Sequence, residues 1–317
     1  MTENRIIATN QKPPRYLNYN QVLKNEFSER IQKISINAGF TCPNRDGVKG
    51  YGGCTYCNNQ TFSPQYSLPV KSISEQVEEG IAFFHHKYES QHYLAYFQSY
   101  TNTYDKIEKL KEIYEVALSH PQIKGIVVGT RPDCINEELL DYFVELSKSV
   151  YVMIEYGIES TSDETLRFIN RGHDYTTAVE AIKATAAKGL RTGAHLILGL
   201  PNESREQILK HADNVSKLPL TALKLHQLQL VKKTVMAKQF TEHPEWFHLY
   251  TANEYIDLVI DFLERMNPEI AIERFVSQSP KELLIAPDWG LKNFEFTAKI
   301  EKRLEERNTW QGRLFSR

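Results

Sequence analysis

Six short segments rich in apolar and β-branched residues alternate along this chain with longer amphipathic segments, and this alternation limits the fold more than any other feature. Such repeats place parallel strands side by side in one sheet and join them by right-handed crossovers. The predicted strands cover residues 33–37, 93–97, 125–129, 150–154, 191–198 and 222–227. The sequence therefore predicts an α/β protein, a partial (βα)6 barrel similar to a TIM barrel.

The segments outside the strands carry helix signals and define the expected parts of the chain. Ser72 and Glu75 form a capping-box pattern that begins a helix extending to about Tyr88. Beyond the sixth strand, residues 253–266 are amphipathic and residues 271–276 form a further candidate strand. We expect an N-terminal arm over residues 1–32, a barrel over 33–235 and a C-terminal extension over 236–317 that packs on the barrel.

Three of the four cysteines, Cys42, Cys54 and Cys57, lie within sixteen residues of the loop after the first predicted strand. Glycines in this loop allow the backbone to wrap closely around a bound metal centre. A structural zinc site would need a fourth ligand, such as Cys134, from another part of the chain. Three thiolates on an iron–sulfur cluster would leave one metal position open for another ligand. The hypothesis is a metal centre with one open position, with zinc as the alternative.

The composition favours a soluble protein without a general affinity for nucleic acid. The 317 residues include 38 Lys and Arg against 40 Asp and Glu, which gives a net charge of −2. No run of about 18 apolar residues predicts a membrane span, and the first residues do not resemble a signal peptide. We therefore expect a cytoplasmic protein without membrane contact. RNA contact would need a local basic patch, for which residues 292–317 are a candidate.

Polar residues mark the carboxyl ends of the predicted strands, where ligands bind in barrels of this type. Arg131 follows the third strand and is either a substrate ligand or an ion-pair partner of Asp133. In the sixth strand, Lys224 and His226 alternate with two leucines. Since the leucines suit the side that faces the helices, the two polar side chains should point into the lumen. The sequence thus predicts a polar cavity at this end of the barrel, with Arg131, Lys224 and His226 as catalytic or substrate-binding candidates.

The cysteine loop resembles that of radical S-adenosylmethionine (SAM) enzymes. Most of these enzymes have the spacing C-x3-C-x2-C, whereas eleven residues separate Cys42 from Cys54 here. A long first spacing is similar to the catalytic subunit of elongator and its bacterial relatives. The segments GFTCPNRDG at 39–47 and GGCTYC at 52–57 resemble the YhcC/YtqA-type group in particular. The resemblance extends from about residue 15 to residue 290, nearly the whole chain.

This resemblance implies a [4Fe–4S] cluster on the three cysteines, with SAM chelating the fourth iron. Reductive cleavage of SAM would yield a 5′-deoxyadenosyl radical that abstracts hydrogen from the substrate. An electron donor such as flavodoxin or ferredoxin is implied as a partner. The SAM-binding residues that the family pattern implies are Tyr56 near the adenine, Gln98 and Ser99 near the methionine amino group, Glu159 and Arg171 near the ribose and carboxylate, and His195 at a ribose-ligand position of some relatives.

Members of the resembled group are linked to modified uridines at the tRNA wobble position. The resemblance implies conversion of 5-carboxymethylaminomethyl-(2-thio)uridine to 5-aminomethyl-(2-thio)uridine, by a radical-initiated loss of the carboxymethyl group. tRNA is therefore the implied partner and substrate. Two alternatives stay open: a radical SAM oxidoreductase that acts on a protein or small metabolite, and a zinc-stabilised RNA-binding module without catalysis.

Overall fold

A computed structural model of the chain describes residues 14–61, 63–85 and 91–316. Helices and strands alternate through most of it, as predicted. In chain order the elements are α1 (Tyr19–Phe27), β1 (Ile31–Ile36), α2 (Ile73–His85), β2 (His92–Phe97), α3 (Ile107–Leu118), β3 (Ile123–Thr130), α4 (Glu137–Ser147), β4 (Tyr151–Glu159), α5 (Asp163–Phe168), α6 (Tyr175–Ala187), β5 (Arg191–Leu198), α7 (Arg205–Val215), β6 (Ala222–Gln227), β7 (Leu230–Val231), α8 (Val235–Glu242), α9 (Ala252–Arg265), β8 (Ala271–Arg274), β9 (Leu284–Ala286) and α10 (Asn293–Glu306).

Seven parallel strands form one curled sheet in the order β1-β2-β3-β4-β5-β6-β8. The six predicted strands are its first six members, and the further candidate strand at 271–276 is the seventh. Because neighbouring strands are parallel, all their carboxyl ends lie at one rim of the sheet. The partial barrel with N- and C-terminal extensions is therefore confirmed. β7 and β9 form a separate antiparallel pair beyond the rim.

β4 is longer than the sequence predicts. It continues from the predicted end at residue 154 to Glu159, and it stays paired with β5 through a register shift between Gly157 and Glu159. The predicted strand ends at residue 154 because polar residues follow. In the structure these polar side chains are compatible with the strand because they face the lumen. The described part of α2 extends to His85, and the predicted end of this helix at Tyr88 lies outside the described residues.

The outer face of the sheet packs on the helices, and its inner face carries charge. Successive side chains of a strand point to opposite faces. In β6, Leu223 and Leu225 belong to the main apolar core, whereas the Lys224 amine lies 2.6 Å from a carboxylate oxygen of Glu155 inside the barrel. The predicted inward orientation of Lys224 is thus confirmed. No helix within the described ranges is long and apolar enough to cross a membrane.

The chain ends join the two edge strands of the sheet. Asn18 forms a parallel bridge with Ile272 of β8, just before α1 leads into β1. The buried Gln311 side chain accepts a hydrogen bond from the Leu17 amide (2.9 Å) and donates to the carbonyls of Asn267 (2.9 Å) and Ile270 (2.8 Å). Since β8 lies inside the predicted C-terminal extension, part of that extension belongs to the barrel sheet itself.

The basic residues of the C-terminal tail are used mostly for packing within the molecule. Arg303 of α10 and Arg307, directly after this helix, each lie 2.5 Å from an aspartate of α9, Asp257 and Asp261 respectively. Arg313 forms an ion pair of 3.0 Å with Glu264 at the end of the same helix. These contacts neutralise much of the positive charge that made residues 292–317 a candidate RNA-binding patch.

Candidate active site

A cavity opens at the carboxyl ends of the barrel strands. It holds about 1170 Å³ of space outside protein atoms, including its opening to solvent. Its walls are formed by residues in or directly after the strands, together with the cysteine loop. The sequence-predicted residues in its lining are Cys42, Cys54, Tyr56, Cys57, Gln98, Arg131, Glu159, Arg171, His195 and His226.

Short backbone hydrogen bonds hold the cysteine loop in place at one side of this cavity. The amide of Arg45 donates to the Cys42 carbonyl (2.8 Å), and the amide of Gly53 donates to the Asn44 carbonyl (2.8 Å). Gly53 has φ of 83°, and a Cβ atom there would meet Nε of Arg45 at 2.8 Å. Only glycine satisfies both the left-handed backbone and this close approach. The loop is therefore built to bring its cysteines to the cavity.

Nitrogen donors surround the cysteine sulfurs. The side-chain amide of Asn44 lies 3.7 Å from the Cys54 sulfur, and that of Asn59 lies 3.7 Å from the Cys57 sulfur. Nη1 of Arg171 lies 3.6 Å from the Cys54 sulfur. N–H groups directed at sulfur stabilise thiolate ligands and tune the potential of iron–sulfur clusters. This donor set fits the cluster that the resemblance to radical SAM enzymes implied.

The Cys57 thiol needs a metal to lose its proton at neutral pH. Burial and the neighbouring Cys54 raise the pKa of the Cys57 thiol to about 11, although the nearby Arg45 opposes this. A coordinated metal removes the thiol proton outright. Across the described part of the chain, no three Cys, His, Asp or Glu side chains are grouped tightly enough to hold a single metal ion. The three cysteines are thus not arranged around one ion-sized position.

Tyr56, Glu159 and Arg171 lie together beside Cys54. The Arg171 guanidinium donates from Nη2 to the Gly157 carbonyl (2.5 Å) and lies 3.7 Å from a carboxylate oxygen of Glu159. Its Nε–H is buried and has no acceptor among the described residues. Glu159 has φ of 71°, a left-handed backbone conformation that residues other than glycine rarely adopt. Where such residues occur, they are often found at binding sites. An unpaired donor and a strained residue thus face the same part of the cavity.

Arg131 lines the cavity but is held by two partners of its own. Its Nε and Nη2 donate to the two oxygens of Asp133 at 2.8 and 2.9 Å, and its Nη1 donates to the Arg171 carbonyl at 2.8 Å. Lys49 adds a second cation, 2.6 Å from Asp133. Burial would raise the pKa of the Asp133 carboxyl, but Arg131 and Lys49 hold it well below its usual range. The ion pair with Asp133 is therefore present, and a substrate role for Arg131 stays a prediction.

Glu155 is the centre of a charged group at the bottom of the cavity. Its carboxylate contacts the amines of Lys33 (2.7 Å) and Lys224 (2.6 Å) and Nε2 of His195 (3.0 Å). Burial raises the pKa of this carboxyl, but Lys224 and Lys33 outweigh burial and lower it well below the usual value. Burial lowers the pKa of Lys224 to about 8 and also lowers that of His195. With the carboxylate ionised and the imidazole neutral, His195 donates its Nε2 proton to Glu155.

Two predicted site residues lie behind the cavity wall. Ser99 is buried, and its hydroxyl is 3.3 Å from that of Ser63. Lys224 is buried below the surface of the cavity, where it also donates to the Tyr96 hydroxyl at 3.0 Å. Cys134 stands apart as well, with its sulfur 3.8 Å from Asp133, and burial raises the pKa of its thiol to about 12.

Sequence reasoning missed several polar residues of the site: Lys33, Asn44, Asn59, Tyr96, Glu155, Glu273 and Arg274. A signal for Lys33 was available, because it alternates with Ile34 and Ile36 in β1 just as Lys224 alternates with leucines in β6. The same alternation predicts that the Lys33 side chain points into the lumen. Asn44 and Asn59 carry no such periodic signal because they lie on loops.

Two sequence profiles match the chain. That of the Radical SAM superfamily covers residues 37–215, and that of the radical SAM C-terminal domain covers residues 220–306. The chain is 33% identical over 317 residues to the protein YtqA of Bacillus subtilis (strain 168), an alignment that covers 100% of this chain and 98% of YtqA.

Two more distant proteins share part of this similarity. The tRNA uridine(34) acetyltransferase of Dehalococcoides mccartyi (strain CBDB1) is 24% identical over 190 residues, which cover 59% of this chain and 39% of that protein. The structure of Methanocaldococcus infernus Elp3 superposes with a TM-score of 0.66 at 16% identity, and the match covers 89% of this chain and 64% of that one. The structural likeness concerns the fold, a partial barrel with a C-terminal extension.

Proposed function

This chain belongs to the radical SAM superfamily, and from that premise we propose that it modifies the wobble uridine of tRNA. The reaction is conversion of the 5-carboxymethylaminomethyl group of uridine or 2-thiouridine to the 5-aminomethyl group. The observation that carries this proposal is the sequence similarity of the barrel to an enzyme named for tRNA uridine 34. The proposed location is the cytoplasm, and an electron donor such as flavodoxin or ferredoxin is the second proposed partner.

As a radical SAM enzyme, the protein uses a [4Fe–4S] cluster and SAM. When bound, these cofactors supply hydrogen-atom abstraction from the substrate. We assign Cys42, Cys54 and Cys57 as the ligands of the cluster. The N–H groups of Asn44, Asn59 and Arg171 at 3.6–3.7 Å from the sulfurs support this assignment. Their donated hydrogen bonds would spread the negative charge of the thiolates.

Tyr56, Gln98, Glu159, Arg171 and His195 are the proposed SAM-binding residues. All five line the cavity beside the cysteine loop. The buried Arg171 Nε–H without an acceptor is a donor available to an anionic group of the cofactor. The Glu159 carboxylate can accept hydrogen bonds from hydroxyl groups on the cofactor ribose. Ser99, behind the wall, would support the turn that carries Gln98.

The proposal is tested by mass spectrometry of tRNA nucleosides from a strain that lacks the gene. We expect 5-carboxymethylaminomethyl-(2-thio)uridine to accumulate and the aminomethyl form to disappear. Restoring the wild-type gene should reverse both changes, whereas a Cys54→Ala variant should not. Unchanged wobble nucleosides in the deletion strain would exclude this substrate.

A spectroscopic control shows that the variant fails for the stated reason. Wild-type protein purified without oxygen should be brown and absorb near ~400 nm, as iron–sulfur proteins do. The Cys54→Ala variant should be folded but should lack this absorbance. A colourless wild-type protein that contains zinc would contradict the ligand assignment.

A further inference from the structure

Four charged side chains inside the barrel balance one another, of which Glu155 and Lys224 are buried and Lys33 and Glu273 are partly exposed. The Lys33 amine lies 2.7 Å from both Glu155 and Glu273, and the Lys224 amine lies 2.6 Å from Glu155 and 3.1 Å from Glu273. Each carboxylate thus contacts both amines, and each amine contacts both carboxylates. Burial of charged groups is tolerated when they are paired in this way. This group, which we call the lumen quartet, has no negative charge left for another cation.

Arg274 is such an additional cation, at the carboxyl end of β8 next to the lumen quartet. Its Nη2 lies 2.8 Å from Nε2 of His226, a residue that lines the cavity. Within the described ranges, no carboxylate lies within 4.0 Å of its guanidinium. Its Nε–H is buried and has no acceptor there. Among the described residues, the one polar partner of this guanidinium is therefore the ring of His226.

The other ionisable side chains near Arg274 do not balance its positive charge. Burial, reinforced by Arg274 and then by His195, lowers the pKa of His226 well below its usual value, so the ring is neutral. Burial likewise lowers the pKa of His195, which donates to Glu155. Glu159, the remaining carboxylate of the cavity, is next to Arg171. The inner end of the cavity therefore carries one excess positive charge.

An unpaired guanidinium that is largely removed from water destabilises the protein unless an anion occupies the adjacent space. Guanidinium groups bind carboxylates through charge-assisted N–H bonds, and Arg274 has an Nε–H without an acceptor among the described residues. Its Nη2 lies 2.8 Å from Nε2 and 3.3 Å from Nδ1 of His226, so the neutral ring accepts from the guanidinium and fixes its position beside the cavity. The residues at this position thus have the chemistry of a carboxylate-binding site.

We propose that Arg274, positioned by His226, binds the carboxylate of the substrate's 5-substituent. This inference rests on the proposed function, because the carboxymethylaminomethyl group is the substituent that carries a carboxylate. The site would hold that end of the substituent against β6 and β8. It would favour the substrate over the aminomethyl product, which has lost this group.

Paired tRNAs test the preference for a carboxylate. Holoenzyme with bound SAM should bind tRNA with the carboxymethylaminomethyl group more tightly than the same tRNA with the aminomethyl group. The Arg274→Gln variant keeps a donor for His226 but removes the charge, and it should weaken binding of the first tRNA by roughly 10- to 100-fold. Binding of the aminomethyl tRNA should change by less than about twofold. Arg274→Lys should retain part of the preference. Equal losses for both tRNAs, or a preference that survives in Arg274→Gln, would overturn the proposal.

A small probe separates this proposal from the choice of tRNA as substrate. N-Methylglycine contains the same carboxymethylamino group, and dimethylamine is its analogue without the carboxylate. N-Methylglycine, but not dimethylamine, should raise the unfolding temperature of the wild-type holoenzyme and should not do so in Arg274→Gln. If this result holds while the wobble nucleosides of the deletion strain are unchanged, the carboxylate site stands and the tRNA substrate is wrong. No effect on the wild-type protein would overturn the site.

The carboxylate of SAM is the other anion that Arg274 could bind, and the same variant distinguishes it. The affinity of Arg274→Gln for SAM should equal that of the wild type, as should its rate of substrate-free SAM cleavage. A tenfold or larger loss of SAM affinity would assign Arg274 to the cofactor and overturn the substrate assignment. Because the substitution removes an unpaired charge, the unliganded variant should also unfold at the same temperature as the wild type or above it. A clearly lower unfolding temperature would show that the guanidinium serves the fold instead.

Discussion

Glu155, with only 1% of its side chain exposed, accepts hydrogen bonds from two lysines and a histidine at 2.6–3.0 Å. Removing its charge would leave Lys33 and Lys224 with Glu273 as their shared carboxylate. A buried cation without its partner is far more costly than an exposed one. The contribution of Glu155 to folding therefore depends on the balance of the whole lumen quartet.

We expect Glu155→Gln to lower the free energy of unfolding by about 3–5 kcal/mol at pH 7. The matched control is Glu145→Gln, which removes an ion pair with Lys148 on the surface, where the side chains are 74% and 66% exposed. That change should cost less than about 0.5 kcal/mol. Urea unfolding of both variants measures the difference. Equal losses would contradict a special role for the buried pair.

The loss in Glu155→Gln should shrink between pH 7 and pH 9. Burial already lowers the pKa of Lys224 to about 8, and Glu155 opposes that shift, so the pKa should be lower still in the variant. Between pH 7 and pH 9 the folded variant then binds fewer protons than the folded wild type, while the two unfolded chains bind the same number. The stability of the variant therefore rises more steeply with pH than that of the wild type. A loss that is constant over this range would show that Lys224 stays charged in the variant.

The residues of the site differ in how far sequence could predict them. Cys42, Cys54 and Cys57 are grouped in the chain itself, so their meeting in the cavity was predictable. Glu155 contacts Lys33, His195 and Lys224 across separations of 122, 40 and 69 residues. Such a group has no local spacing, because only the pairing of strands brings its members together. Arg274 was overlooked for the same reason.

Helix α2 packs on β1 through Gly80, a contact that depends on the missing side chain. A Cβ atom at this position would overlap Cγ2 of Ile34 and lie 3.2 Å from Cε2 of Tyr66. The helix can therefore approach the sheet closely. At the level of elements, the six βα repeats were predictable from periodicity, whereas this close approach follows from the shape of the facing side chains.

Gly80→Ala should destabilise the protein, although alanine is the better helix former. The gain in helix propensity is up to about 1 kcal/mol, while overpacking of a tight core contact costs about 1–3 kcal/mol. A net loss of roughly 1–2 kcal/mol is expected from the balance. Thermal unfolding should show it, with Glu78→Ala on the exposed side of α2 as a control that changes little. A more stable Gly80→Ala protein would mean that the helix can shift outward at no cost.

At the scale of the whole molecule, Gln311 connects the two ends of the chain. Its side chain makes three hydrogen bonds, to the Leu17 amide and to two carbonyls near β8. Its backbone amide donates to the Arg15 carbonyl at 2.8 Å. A residue near the C-terminus thus fixes the segment that precedes β1.

Gln311→Ala should lower the free energy of unfolding by about 2–4 kcal/mol, because it leaves buried backbone groups without partners. The matched control is Gln278→Ala, since Gln278 is exposed and makes one side-chain hydrogen bond, to the Leu291 carbonyl at 3.0 Å. That variant should lose less than about 1 kcal/mol. Chemical unfolding of both proteins provides the measurement. Similar losses would show that the chain ends contribute little to the stability of the barrel.

The ion pair between Lys33 and Glu273 joins the first and the seventh strand of the sheet, which are not hydrogen-bonded neighbours, over 240 residues of chain. Both strands stay at the edges of the sheet, so the contact between them is made by side chains inside the barrel. During synthesis, Lys33 lacks one of its two carboxylates until Glu273 has been made and β8 has joined the sheet. Incomplete chains with exposed strand edges are prone to aggregation. A nascent chain of this protein therefore stays in that condition until most of its residues have been synthesised.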